Sequence, residues 1–149
     1  MKELEGFADW LESLILLDEE LWLKPIGEGK WSIREILTHI MFWDRYNMEE
    51  MLPNMAEGAS LTFVDIETHN KKAEKYAKEY TSLQTLIADA AESRKKFVAM
   101  LEEKYEPSMT FFLDGQESGI EDFIGIFTHH DAHHKKQVDA FLKGKAGTV

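Results

Sequence analysis

Four long stretches of this chain repeat apolar residues at the period of an α-helix, and proline or glycine marks most of the breaks between them. Residues 3–23 place Phe7, Trp10, Leu11, Leu14, Ile15, Leu17, Leu21 and Trp22 at helical spacing among Glu and Asp, and Lys24-Pro25 with Gly27 and Gly29 closes that helix in a loop. Ser32 and Glu35 then have the spacing of a capping box, with Trp31 positioned to pack on Ile36 as a hydrophobic staple. The second helix runs to about Leu52, where Pro53 stops it, and its inward face reads Ile36, His39, Ile40, Trp43, Tyr46 and Asn47.

Residues 53–62 form a connector without periodicity, and 65–80 read as a short, charged helix marked by Ile66, Ala73, Tyr76, Ala77 and Tyr80. His69 within it reads as an exposed or rim histidine. Thr81 and Gln84 have capping-box spacing before a helix of Leu83, Leu86, Ile87, Ala90, Ala91, Phe97, Val98 and Leu101 that continues to about Lys104. Residues 105–117 read as a loop, with a turn at Asp114-Gly115 and Met109–Leu113 at most briefly extended. Ser118 and Glu121 offer a third capping box, opening a last helix that ends near Lys143 with Gly144 at its C′ position; the tail AGTV is expected to fray. With no convincing strand and no internal repeat, the economical fold is all-α: one domain over 1–149, an up-and-down four-helix bundle with an additional short helix.

Charge narrows the partners. Twenty-eight acids against 17 bases give a net charge of −11, which opposes binding to nucleic acid because phosphates need a basic patch. No apolar run is long enough to span a membrane, and the opening MKELEGFADW is acidic where a signal peptide would be basic and then apolar. Cysteine is absent, which removes disulfides, cysteine-based zinc sites and cysteine nucleophiles, and the chain reads as cytoplasmic.

Chemistry concentrates in Phe123–Phe141, which holds four of the six histidines: His129, His130, His133 and His134. On a helix these make two stacked i, i+4 pairs pointing about 100° apart. His130 and His134 continue the apolar seam of Phe123, Phe127, Val138 and Phe141, whereas His129 and His133 share a mixed face with Asp122, Ile126 and Lys136. The inward pair is therefore His130/His134. With His39 from the second helix they make a three-nitrogen set suited to a divalent metal with an open coordination position. Imidazole suits zinc and nickel, and also copper or iron. The competing reading is that these are hydrogen-bonded core histidines. Around the set, Asp44, Asp131 and Gln137 are within helical reach as partners for ligating imidazoles, Trp43, Tyr46 and Phe127 are candidate pocket walls, and His133 is a candidate flank residue.

These residues carry a resemblance. GKWSIREILTHIMFWD, SRKKF in the long middle helix, and HHDAHHKKQ some ninety residues after the first motif resemble the DinB/YfiT-like superfamily of metal-binding four-helix bundles, over nearly the whole chain. The terminal motif of that family resembles H-x-x-H-H-R-G-Q, and here it stands as His130-Asp131-Ala132-His133-His134-Lys135-Lys136-Gln137. The resemblance implies metal ligands at His39, His130 and His134, with zinc or nickel foremost. It also implies a homodimer. Lys135-Lys136 replaces Arg-Gly, so any substrate contact made by that arginine is not carried over, because a planar guanidinium and a point-charge ammonium differ. Members with known activity include S-transferases and isomerases that use a low-molecular-weight thiol, and some are called metal-dependent hydrolases. The expectation is an enzyme whose metal activates a thiol or water against an electrophilic small molecule; the alternative is a bundle that binds metal or a small ligand without turnover.

Overall fold

In the computed structural model, which describes residues 1–146, the helices are α1 (Lys2–Glu12), α2 (Glu19–Leu23), α3 (Ile33–Tyr46), α4 (Ile66–Ala77), α5 (Leu83–Lys104) and α6 (Ile120–Ala146). Helices α1, α3, α5 and α6 pack as the bundle, and α4 lies against α3. No described helix is long and apolar enough to cross a membrane. One end of the core gathers Phe7, Leu11, Ile36, Leu37 and Leu86, and the other Leu4, Trp43, Phe97, Phe111 and Phe123.

The first helix is broken where periodicity leaves it whole. Asp18 accepts a hydrogen bond from the Leu21 amide at 3.0 Å and starts α2 with Glu19 and Glu20 at its positive end. The apolar spacing persists across the break, so the pattern conceals it. The Ser32/Glu35 capping box forms as read, with the Glu35 amide donating to Ser32 Oγ and the Ser32 amide donating to Glu35 Oε1. Beyond Tyr46 the second helix widens into a π-helical turn over Asn47–Met51, and a 3-10 turn over Leu52–Asn54 carries it past Pro53.

The other two expected capping boxes are replaced by neighbours. Ser82, not Thr81, accepts from the Thr85 amide, while Gln84 donates to the Ile15 carbonyl instead. At α6 it is Asp122 that reaches back to the Gly119 amide at 2.8 Å, and Glu121 bonds to Tyr105. Gly144 lies inside α6, which reaches Ala146; the remainder of the AGTV tail lies outside the described residues.

Strands are present after all. Thr110–Leu113 (β2) and Gln116–Gly119 (β3) form an antiparallel hairpin, and Ser60–Leu61 (β1) adds in parallel to β2. Asp114 (φ 48°) and Gly115 (φ 82°) both take the left-handed conformation that a tight two-residue hairpin turn requires. The hairpin replaces the loop expected over 105–117, because strands this short lack enough alternation to register in the sequence. The sheet matters for position: Asp114 Oδ1 accepts from the Phe63 amide at 3.3 Å, fixing the segment between β1 and α4.

One buried ion cluster ties the bundle together. Arg94 of α5, 1% exposed, donates to both carboxylate oxygens of Asp44 (α3) at 2.9 and 3.1 Å and of Asp131 (α6) at 2.6 and 3.0 Å, and to the Leu4 carbonyl of α1 at 3.1 Å. The Phe7 ring covers the guanidinium at 4.3 Å. Removing the cation would strand two buried carboxylates. Arg94→Met is therefore expected to cost ~3–5 kcal/mol in urea-denaturation experiments; a loss under ~1 kcal/mol would show that the cluster does not hold the bundle.

Candidate metal centre

The capping box sets the start of α3, and two turns on His39 projects from its inward face; His130 and His134, one turn apart, meet it from α6. One ring nitrogen from each of the three lies within 4.8 Å of the others. His39 Nε2 and His130 Nε2 are 3.0 Å apart. Nitrogens about 2.0–2.1 Å from a shared tetrahedral ion stand roughly 3.3 Å apart, so this spacing is close to what an ion would need. His129 and His133, the other stacked pair, are exposed at the rim. The structure therefore brings together the seam pair with His39 and leaves the flank pair outside.

Gln137 Oε1 lies 2.8 Å from His134 Nδ1, an i, i+3 contact on α6. An amide oxygen can only accept, so Nδ1 carries the hydrogen and Nε2 presents its lone pair to the centre. The Nδ1 atoms of His39 and His130 are buried without a partner, as is Asn70 Oδ1. Asn70 is nevertheless close enough to His39 to favour its charged form.

Burial, reinforced by His130, His134 and His69, pushes the His39 imidazole down to about 2. Burial, followed by His134, lowers His130 to about 3, and burial also lowers His134, which Gln137 opposes. All three rings are thus neutral at physiological pH, the state that ligates a metal. Two neutral Nε2 atoms 3.0 Å apart can be reconciled only by a proton or a cation between them. Neutral, convergent and partly orphaned imidazoles fit a divalent ion.

The site opens into a pocket of about 750 Å³. Trp43 and Phe127 line it as read from the sequence, and His133 and His129 stand at its rim. Tyr46 does not line it; its hydroxyl donates to the Thr62 carbonyl and accepts from the Val64 amide, buttressing the segment that roofs the pocket. Asp131 and Asp44 belong to the Arg94 cluster instead of hydrogen-bonding a ligand histidine, because the buried guanidinium claims both carboxylates.

Other contributors were missed. Trp31, read as a staple, lies with its ring 4.8 Å from that of His39 and donates to Glu74 of α4 at 2.7 Å. Phe63 and Val64 come from the short link between the connector and α4, and Ile66 opens α4. His69, read as exposed or at a rim, is 6% exposed and packs 4.1 Å from Trp43. The signal was present in the spacing of His69, Ala73 and Ala77, which form the buried face of α4.

The lowered imidazoles make a pH prediction. His39, His130 and His69 stand at about 2, about 3 and about 4, against an ordinary value of 6.5 regained on unfolding. Below pH 6.5 the unfolded chain binds more protons at these positions, so stability falls as pH falls toward about 4. Asp44, which burial pushes up to about 6, acts in the opposite sense from that value down to its ordinary 3.8, one group against four, since His134 is lowered as well. Chelator-treated protein should lose on the order of 2 kcal/mol per pH unit below pH 6, read from urea midpoints between pH 7 and pH 4.5. A flat profile would mean the imidazoles are not held neutral.

The family model of the DinB superfamily matches residues 4–138. No curated protein matches the chain. Among solved structures the fold is similar to YfiT from Bacillus subtilis, a probable metal-dependent hydrolase with an unusual four-helix bundle topology, with a TM-score of 0.74 at 15% identity over 97% of this chain and 85% of that one. With the matched residues spanning the bundle from α1 to the histidine helix, the chain belongs to the DinB superfamily.

Proposed function

We propose that this protein is a divalent-metal-dependent enzyme that uses a small nucleophile, water or a low-molecular-weight thiol, against an electrophilic small molecule. The observation that carries this reading is the convergence of three neutral imidazoles on a solvent-open, largely apolar pocket. His39, His130 and His134 are the ligands in this reading, and zinc or nickel suits an all-imidazole set. A divalent ion held there would supply Lewis acidity, lowering the pKa of a thiol or water presented to its open side.

The chain's own residues do the rest. Gln137 fixes the tautomer and orientation of His134. Trp31, Trp43 and Phe127 exclude bulk water from the floor of the pocket, where electrostatic effects are stronger for it. His129 and His133 stand at the exposed rim, where an imidazole can pass protons between pocket and solvent. Neither Asp44 nor Asp131 is free to act as a base. YfiT, similar in fold, is a probable metal-dependent hydrolase, which supports the water-using form of the reaction.

Metal content by mass spectrometry should show near-stoichiometric metal in the untagged wild type and its loss in His39→Ala. Absence of uptake even after reconstitution with zinc, nickel or manganese would sink the proposal. Gln137→Leu should retain the fold and weaken metal affinity by about 10–100-fold, read by competition with a chromogenic chelator. Turnover of reactive electrophiles with and without added thiol then separates transferase from hydrolase.

A further inference from the structure

The pocket's charge is arranged along its depth. Its floor holds the three imidazoles, its walls are aromatic and aliphatic, and its lining includes two carboxylates, Asp65 and Asp114, but no Lys or Arg. The two acids flank the segment that roofs the pocket: Asp114 bonds the Phe63 amide, and Asp65 lies two residues further on. Each commits one oxygen to the fold and leaves the other free. Asp65 accepts from the Thr68 amide and hydroxyl through Oδ2 alone, and Asp114 accepts through Oδ1 alone. The nearby Lys71 is paired with Glu67 at 3.2 Å.

The fold does not require these two positions to be charged. Asn caps a helix start as well as Asp does, and Asn tolerates the positive φ that Asp114 adopts. Two aliphatic side chains also stay open to solvent beside the acids: Ile66 is 64% exposed and Ile126 is 43% exposed. Exposed aliphatic surface continuous with an aromatic pocket marks a place where an apolar ligand enters.

Resting on the reading of this pocket as the reaction site, we propose that its substrate is an amphipathic amine: an apolar aromatic or alkyl body with a cationic ammonium head. The body lies against Trp31, Trp43, Phe63 and Phe127, and the head stays at the mouth between Asp65 and Asp114. The orientation follows from charge, because a divalent ion at the floor repels a cation and the carboxylates at the mouth attract it. Anionic substrates, and thiols carrying several carboxylates, meet two carboxylates and no lysine or arginine on the way in. A volume of about 750 Å³ accommodates a molecule of this kind.

The test uses ligands with one body and different heads, 2-phenylethylammonium and 2-phenylethanol, titrated into zinc-reconstituted and chelator-treated protein and followed by tryptophan fluorescence. The ammonium compound should bind about tenfold more tightly than the alcohol in both forms. The Asp65→Asn/Asp114→Asn variant should lose that preference while melting at the wild-type temperature. Equal affinity for the two compounds, no binding of either, or a preference that survives in the variant would each overturn the proposal. Failure of the metal reading shows separately, as absent zinc in the reconstituted sample, and leaves the chelator-treated comparison to decide the ligand class alone.

Discussion

The guanidinium of Arg94 is the point on which the rest of the molecule depends. It joins Asp44 on α3 to Asp131 on α6 and anchors the α1 backbone at Leu4. Asp44 lies five residues beyond His39, and Asp131 directly follows His130. Bonding both acids to one rigid fork therefore fixes the axial register of α3 against α6 beside the histidines. A slip of one helical turn, about 5.4 Å, would pull His39 away from its two partners. A buried cluster of this kind is weak evidence for net stability, since apolar residues of similar volume often do as well. Its geometric consequence is stronger, because few other contacts could specify the histidine alignment so directly.

The cluster also carries a charge imbalance. One guanidinium faces two carboxylates inside the core, which would leave a net negative charge if all three were ionised. Burial opposes this by pushing Asp44 up to about 6 against the pull of Arg94, so the imbalance is relieved only as the pH falls through that value. The buried imidazoles respond in the opposite direction, staying neutral by falling below their ordinary value. The imidazole set thus holds no charge of its own, and a cation there would supply the partner that its converging ring nitrogens lack.

What was legible in the sequence was whatever repeats. The apolar period gave α3, α5 and α6 and distinguished the His130/His134 seam from the His129/His133 flank, because one face of a helix is buried over many turns and selection of apolar residues accumulates along it. Where a single interaction decides, the pattern was silent. Asp18 breaks the first helix without disturbing its apolar spacing, and Asp122 in place of Glu121 caps the last. Capping boxes at Thr81 and Ser118 have the right spacing, yet a neighbour with better geometry takes the role. For Asp44 and Asp131 the sequence offers only candidate partners of the histidines or exposed surface, and neither holds, since nothing in α5 alone marks Arg94 as the buried partner.

The mouth of the pocket was the least legible part for a related reason. Its residues come from the β1–α4 connection and the hairpin turn, where β1 is two residues long and each position is held by one hydrogen bond, as Phe63 is by Asp114. Such a segment leaves no periodic trace. Its exposed positions, Asp65 and Asp114 among them, contribute nothing to the apolar core, whereas Leu61, Phe111 and Leu113 beside them do. The histidine floor demands register and is set by long helices, whereas the mouth demands a short, fixed backbone held by single contacts such as that of Asp114 with Phe63. The floor is therefore carried by long helices and the mouth by a short connection and a hairpin turn, two different classes of structure around one pocket.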